Sequence, residues 1–119
     1  MKLEVGMYCY HRIERWKGIG KIIKIDGDYI HIRFKSELVI YTKNNVVASH
    51  NIIDLIEVGD ILVLDLWQYE NSKQVVYETE GIKVVYMYDM SIPITNDEIV
   101  IKSILTKEQF SQMEYKVVE

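Results

Sequence analysis

The sequence predicts a mostly β protein in which two tandem small β-barrels pack on each other and a short C-terminal helix follows. Three observations carry this expectation. Apolar and polar residues alternate through runs rich in Ile, Val and Tyr, the period-two pattern of half-buried strands, and short turn clusters interrupt the runs. Leu3-Glu4-Val5-Gly6 recurs as Ile56-Glu57-Val58-Gly59, an offset of 53 residues, and the likeness continues without a gap for about thirty further positions. Near the end, Leu105, Thr106, Gln109 and Phe110 have the spacing of a capping box with a hydrophobic staple, which starts a helix over 107–115.

The repeat divides the chain into residues 1–55 and residues 56–119, the second half carrying the helix. A unit of roughly fifty residues hides a limited share of its surface, so the two halves are expected to bury area on each other. A single larger barrel built from both repeats is the rival arrangement.

In order along the chain, Gly6 to His11 reads as a first strand, and Arg12 to Gly18 as a charged loop around one tryptophan. Ile19 to Ile25 makes the second strand, Asp26-Gly27-Asp28 a tight turn whose glycine can take positive φ, and Tyr29 to Phe34 the third. Leu38 to Thr42 is a fourth, ended by Lys43-Asn44-Asn45; Val46 to Ile56 reads as a short turn and a connecting strand. The second copy repeats the plan, with Asp60 to Tyr69, a turn at Asn71-Ser72, Gln74 to Thr79, the turn Glu80-Gly81, and Ile82 to Tyr88. Pro93 cannot donate to a ladder, which puts Ile92-Pro93-Ile94 at an edge or in a loop. Glu98 to Leu105 forms the last strand, and Phe110 and Met113 share one face of the helix, which can close one end of a barrel.

Net charge is −4, but it is unevenly spread. Residues 1–50 hold nine Lys/Arg against five Asp/Glu, whereas residues 51–119 hold five against thirteen. Cys9 is the only cysteine, so no intramolecular disulfide can form and no cysteine cluster can hold zinc. No run approaches the roughly 18 apolar residues that span a bilayer, and the start lacks the apolar core of a signal peptide. A cytoplasmic protein without a membrane partner is expected.

The segments Lys17-Gly18-Ile19-Gly20-Lys21-Ile22-Ile23-Lys24-Ile25 and Tyr29-Ile30-His31-Ile32-Arg33-Phe34, after Leu3-Glu4-Val5-Gly6, resemble the strand–loop–strand core of KOW-like or Src-homology-3-like small barrels. In those folds the loop after the first strand often meets the partner. Ala48 to Asp60 and Ile101 to Phe110 are similar to segments of small proteins from phages and prophages of Gram-positive bacteria. That resemblance implies a mobile-element origin inside a bacterial host cell, where such proteins include regulators and anti-CRISPR-like inhibitors of host defence.

Two loops are candidate sites. Trp67, Gln68, Tyr69 and Glu70 form an aromatic anchor with an acidic rim suited to a host protein, since Trp and Tyr bury much area at low entropy cost. An ordinary hairpin with cross-strand aromatic pairs uses the same residue types. Arg12, Arg15, Trp16 and Lys17, with Lys21, Lys24, Arg33 and Lys35 nearby, make the alternative, a nucleic-acid site in which phosphates meet the cations and a base stacks on Trp16. The acidity of the whole chain opposes that alternative. A sponge for a small signalling nucleotide held between the repeats is a third class with no distinctive residue behind it.

Cys9 and His11 share one face of a strand, but side chains two residues apart stand about 7 Å from each other, too far for a nucleophile and its base. Cys9 aligns with Leu62 and reads as a small buried hydrophobe; His31 is expected to face outward and His50 to lie in a turn. Asp26 and Asp28 flank a glycine as turn residues do and make a poor calcium site. With no P-loop, HExxH or dinucleotide spacing, no enzyme, cofactor or metal is expected, and a monomer or a homodimer fits equally.

Overall fold

The computed structural model describes residues 2–113, with the Met113 side chain left aside. Eleven strands and one helix make up the described fold, arranged as three antiparallel sheets. The chain divides into two compact units, one formed by residues 2–55 with 108–113 and the other by Ile56–Lys107. The helix from Glu108 onward groups with the first unit.

In the first unit β1 (Tyr8–His11), β2 (Gly20–Asp26), β3 (Tyr29–Arg33), β4 (Leu38–Thr42) and β5 (Val46–Ser49) form one sheet of order β4-β3-β2-β1-β5. One 3-10 turn, Lys43–Asn45, joins the two edge strands, and another covers Ile52–Leu55. A flat sheet of five strands would put its edges about 19 Å apart. The link from Thr42 to Val46 reaches at most about 15 Å, so the sheet has to curl. Ile23 supplies part of the bend: it is the extra residue where the β2–β3 register shifts between Ile22 and Lys24. Inside the curl lie Met7, Cys9, Ile22, Ile30, Ile32, Phe34, Val46 and Ala48, all buried. Among the described residues no ladder joins β4 to β5, so the barrel expected from sequence is an open, strongly curved sheet rather than a closed one.

The second unit holds β6 (Ile61–Leu66), β7 (Tyr69–Val75), β8 (Tyr77–Thr79), β9 (Ile82–Met87), β10 (Met90–Pro93) and β11 (Val100–Leu105). They form two three-stranded sheets, β11-β6-β7 and β10-β9-β8. Because β7 and β8 are separated only by Val76, the order read through that break is β10-β9-β8/β7-β6-β11, the same as in the first unit. Pro93 sits at the end of edge strand β10, where its missing N–H costs no ladder bond.

The hydrogen bonds that start each unit also match. Gly6 N–H donates to Ile22 O at 2.8 Å and Gly59 N–H to Val76 O at 2.8 Å; Ile22 N–H returns to Met7 O and Val76 N–H to Asp60 O, each at 2.9 Å. Gly6 and Gly59 have φ of 95° and 94°, a left-handed conformation that few residues other than glycine adopt. Sequence alignment alone pairs Ile22 with Val75, whereas the hydrogen bonds pair it with Val76. Burial agrees with the bonds: Ile22 and Val76 are 1% and 0% exposed, Ile23 and Val75 40% and 37%. The bulge at Ile23 and the uneven loops displace the match by one residue, which a gapless comparison cannot show.

The Asn71-Ser72 turn expected from sequence is not a turn. The chain reverses at Trp67-Gln68, between the paired residues Leu66 and Tyr69, and β7 runs through Asn71. Asn71 takes φ 52° at a register shift in β6–β7, and its N–H donates to Asp65 Oδ1 at 2.8 Å. Asn is a turn-former because it tolerates this conformation, and a bulge uses the same property.

Helix α1 spans Lys107–Met113 in the described residues; positions 114 and 115 of the expected helix lie outside them. Its first N–H, on Lys107, donates to Asp60 Oδ1 at 3.0 Å, so a buried carboxylate 47 residues upstream caps it in addition to anything Thr106 supplies. Phe110 is 50% exposed and does not bury itself as the staple requires.

Candidate functional site

Trp67 and Tyr69 flank the two-residue turn between β6 and β7, and Tyr88 occupies the turn between β9 and β10. Trp67, Tyr88 and Asp89 all have φ between 51° and 56°, values suited to tight hairpins because they match the strand twist. The rings converge. Tyr88 stands edge-on to Trp67 at 4.9 Å and 61°, and to Tyr69 at 4.9 Å and 64°. Such contacts are worth about 0.5–1.5 kcal/mol each beyond area burial. Trp67 Nε1–H donates to Glu98 Oε2, and the Tyr88 hydroxyl reaches Leu66 O at 3.5 Å. Trp67 and Tyr69 still show 51% and 47% of their surface to solvent. Gln68 and Glu70 are exposed beside them. The result is a small ridge of three aromatic rings with Glu70, Asp89 and Glu98 around it. Tyr88 was not singled out from sequence, although a tyrosine before an aspartate at a strand end was a visible signal of a hairpin tip.

The basic loop of the first unit is put together differently from the expected nucleic-acid site. His11, 7% exposed, accepts N–H bonds from Ile13 at 3.2 Å and Glu14 at 3.0 Å on Nδ1, which fixes the start of the loop; its ring lies 4.2 Å from that of Tyr41. Tyr41 donates its hydroxyl to Glu14 Oε2 at 2.7 Å, and burial with this acceptor raises its pKa above the usual tyrosine value. Arg15 turns inward at 4% exposure: Nη1 binds Glu108 Oε1 at 2.8 Å, Nη2 binds Leu55 O at 2.9 Å, and the guanidinium covers the Tyr10 ring at 4.9 Å. It holds the loop to the helix and is not presented to a phosphate. Lys17 pairs with Glu37 at 3.0 Å and lies over the Trp16 ring at 5.2 Å, leaving Trp16 44% exposed. Arg12 lines one groove with Lys2 and Lys43, and Lys21 lines another with Arg33 and Lys35. Of the five residues expected together, only Arg12, Trp16 and Lys21 therefore offer exposed surface, and Arg12 and Lys21 do so in separate grooves.

Cys9 is fully buried, and burial pushes its thiol up to about 12, far from a thiolate at neutral pH. His31 is half-buried and His50 exposed, the latter 3.6 Å from Glu4. Among the described residues no group of three or more His, Cys, Asp or Glu side chains converges as a metal site, and no helix is long and apolar enough to cross a membrane.

Comparison with protein-family models, with curated proteins and with solved structures finds no match to this chain.

Proposed function

We propose that the chain is a non-catalytic protein-binding module of phage or prophage origin that inhibits a host defence system by covering a protein surface. The observation behind this reading is the ridge of Trp67, Tyr69 and Tyr88. These are three rings held in one arrangement by mutual contact, Trp67 and Tyr69 half open to solvent and Tyr88 more buried between them, and bordered by carboxylates. Rigid, exposed Trp and Tyr with few rotamers to lose are the residues that dominate binding energy at interfaces. Support for a duplicated Src-homology-3-like scaffold is the common strand order and the matched bonds at Gly6 and Gly59. The phage or prophage origin rests on the resemblance of Ala48 to Asp60 and Ile101 to Phe110.

The test is affinity capture from lysate of a Gram-positive host, with and without nuclease, using the wild-type chain and a Trp67→Ala/Tyr69→Ala variant of unchanged circular dichroism. A protein retained after nuclease by the wild type and lost by the variant supports the reading. Equal retention by both removes the ridge from the interface.

A further inference from the structure

The outer face of the first sheet carries a feature that neither the fold nor the aromatic ridge uses. Strand register sets Tyr8, Lys21, Arg33 and Leu38 directly opposite one another in a single row across β1, β2, β3 and β4. A second row on the same face holds Lys24, His31 and Ile40. Like charges placed directly opposite on neighbouring strands destabilise a sheet, and Lys21 faces Arg33 in that way. Among the described residues no carboxylate pairs with Lys21, Lys24, Arg33 or Lys35; the other contact of Lys21 is with the Tyr8 ring, its Nζ 5.1 Å from the centroid. Tyr8, Lys21, Arg33 and Lys35 border an open groove of about 410 Å³, with Ile23 and Phe34 in its lining and no acidic residue.

The second unit serves as an internal control. Counted back from the two-residue turns closed by Asp26/Tyr29 and Thr79/Ile82, the pair Lys24/His31 corresponds to Tyr77/Val84, and Arg33/Leu38 corresponds to Tyr86/Ser91. The same strand arrangement thus stands without cations at those positions. The strand arrangement does not require Lys24 and Arg33.

We infer that this face of the first unit binds single-stranded nucleic acid, with Lys21, Lys24, Arg33 and Lys35 meeting phosphates and a base stacking on Tyr8. The two rows lie about 7 Å apart, a spacing comparable with that of successive phosphates on an extended strand. Tyr8 is half-buried at the border of the groove, and the part of its ring left open rewards a strand whose bases are unpaired. The local excess of cations, in a chain acidic as a whole, confines binding to this one face.

The test is fluorescence anisotropy of a labelled oligothymidine 20-mer at low salt, with a duplex of equal length and a polyglutamate peptide as competitors. Binding should fall steeply with salt, by about 0.7 in log–log slope per phosphate contact. Lys21→Gln/Arg33→Gln should weaken it at least tenfold and flatten the slope, and Tyr8→Leu should weaken it without changing the slope. Arg12→Gln and Lys73→Gln should leave it intact. Circular dichroism of each variant separates lost binding from lost fold. Absence of binding at low salt, equal displacement by polyglutamate, preference for the duplex, or an unchanged slope in the double variant would each overturn the inference. Trp67→Ala/Tyr69→Ala should bind the oligonucleotide normally, so the two proposals fail independently.

Discussion

Asp60 shows how one side chain can hold a local structure together. It is 0% exposed, accepts Glu57 N–H on Oδ2 at 2.8 Å, and accepts Lys107 N–H on Oδ1. Met7 takes the corresponding place in the first unit, with its Sδ 3.3 Å from Glu4 N–H, a weaker acceptor for the same donor. Removing a buried acceptor leaves its donors unsatisfied at about 1–3 kcal/mol each, so Asp60→Ala should cost roughly 2–5 kcal/mol in urea unfolding. Asp60→Asn, which keeps one oxygen, should cost less. Arg15 offers a second case at this scale. Arg15→Ala strips Glu108 and Leu55 O of their donor, and should destabilise by about 2–4 kcal/mol. Its effect on oligonucleotide binding should be no larger than its effect on folding. From sequence Arg15 looked like its neighbours Arg12 and Lys17. What distinguishes it is Glu108, 93 residues away, and no local pattern carries a contact of that range.

Among the elements, strand β2 depends on Gly20. A Cβ there would stand 2.7 Å from Arg33 O and 2.7 Å from Ile32 Cγ2, so Gly20→Ala should separate β2 from β3 and cost more than about 2 kcal/mol. Gly6→Ala meets nothing within 4 Å and should cost about 1–2 kcal/mol from its positive φ alone. Thermal midpoints of the two variants check the order. The β6–β7 bulge predicts a pH effect. Asp65 accepts the Asn71 N–H and pairs with Lys102 at 3.3 Å, and the bond from Asn71, followed by the lysine, lowers its pKa. Its contribution is complete above the ordinary aspartate value of about 3.9 and disappears as pH falls through the lower folded value. Asp65→Asn should therefore flatten the acid limb of a stability–pH curve below about pH 4. Most strands could be read from alternation, and Leu38–Thr42 matched residue for residue. The errors collected where one residue type serves two structures, as at Asn71, and where the buried partner of a helix end lies far away in sequence, as with Asp60.

At the scale of the whole molecule, the likeness of residues 3–6 to residues 56–59 was legible in the sequence, and Gly6 and Gly59 share one unusual φ, while the contrast between the sheet faces was not legible. Sequence comparison located the difference between the halves in the loops Arg12 to Gly18 and Trp67 to Glu70. Register shows a second difference on the sheet faces, Lys24 and Arg33 against Tyr77 and Tyr86. Side chains alternate, so a face becomes visible only once the bulge at Ile23 is known. Cys9 gives a reporter for the first unit. Buried and protonated, it should resist a disulfide reagent in native buffer and react as urea opens that unit, while Trp67 fluorescence, read in a Trp16→Phe background, follows the second. Two coincident curves would mark one cooperative transition, and two separate curves independent units. The matched bonds at Gly6/Ile22 and Gly59/Val76 have a practical corollary. They are equivalent sockets, so the hairpin 23–33 could be transplanted into the place of 77–86 without recutting the joints. A chimera of that kind would place Lys24 and Arg33 on the outer face of the acidic half, making one hairpin an exchangeable part.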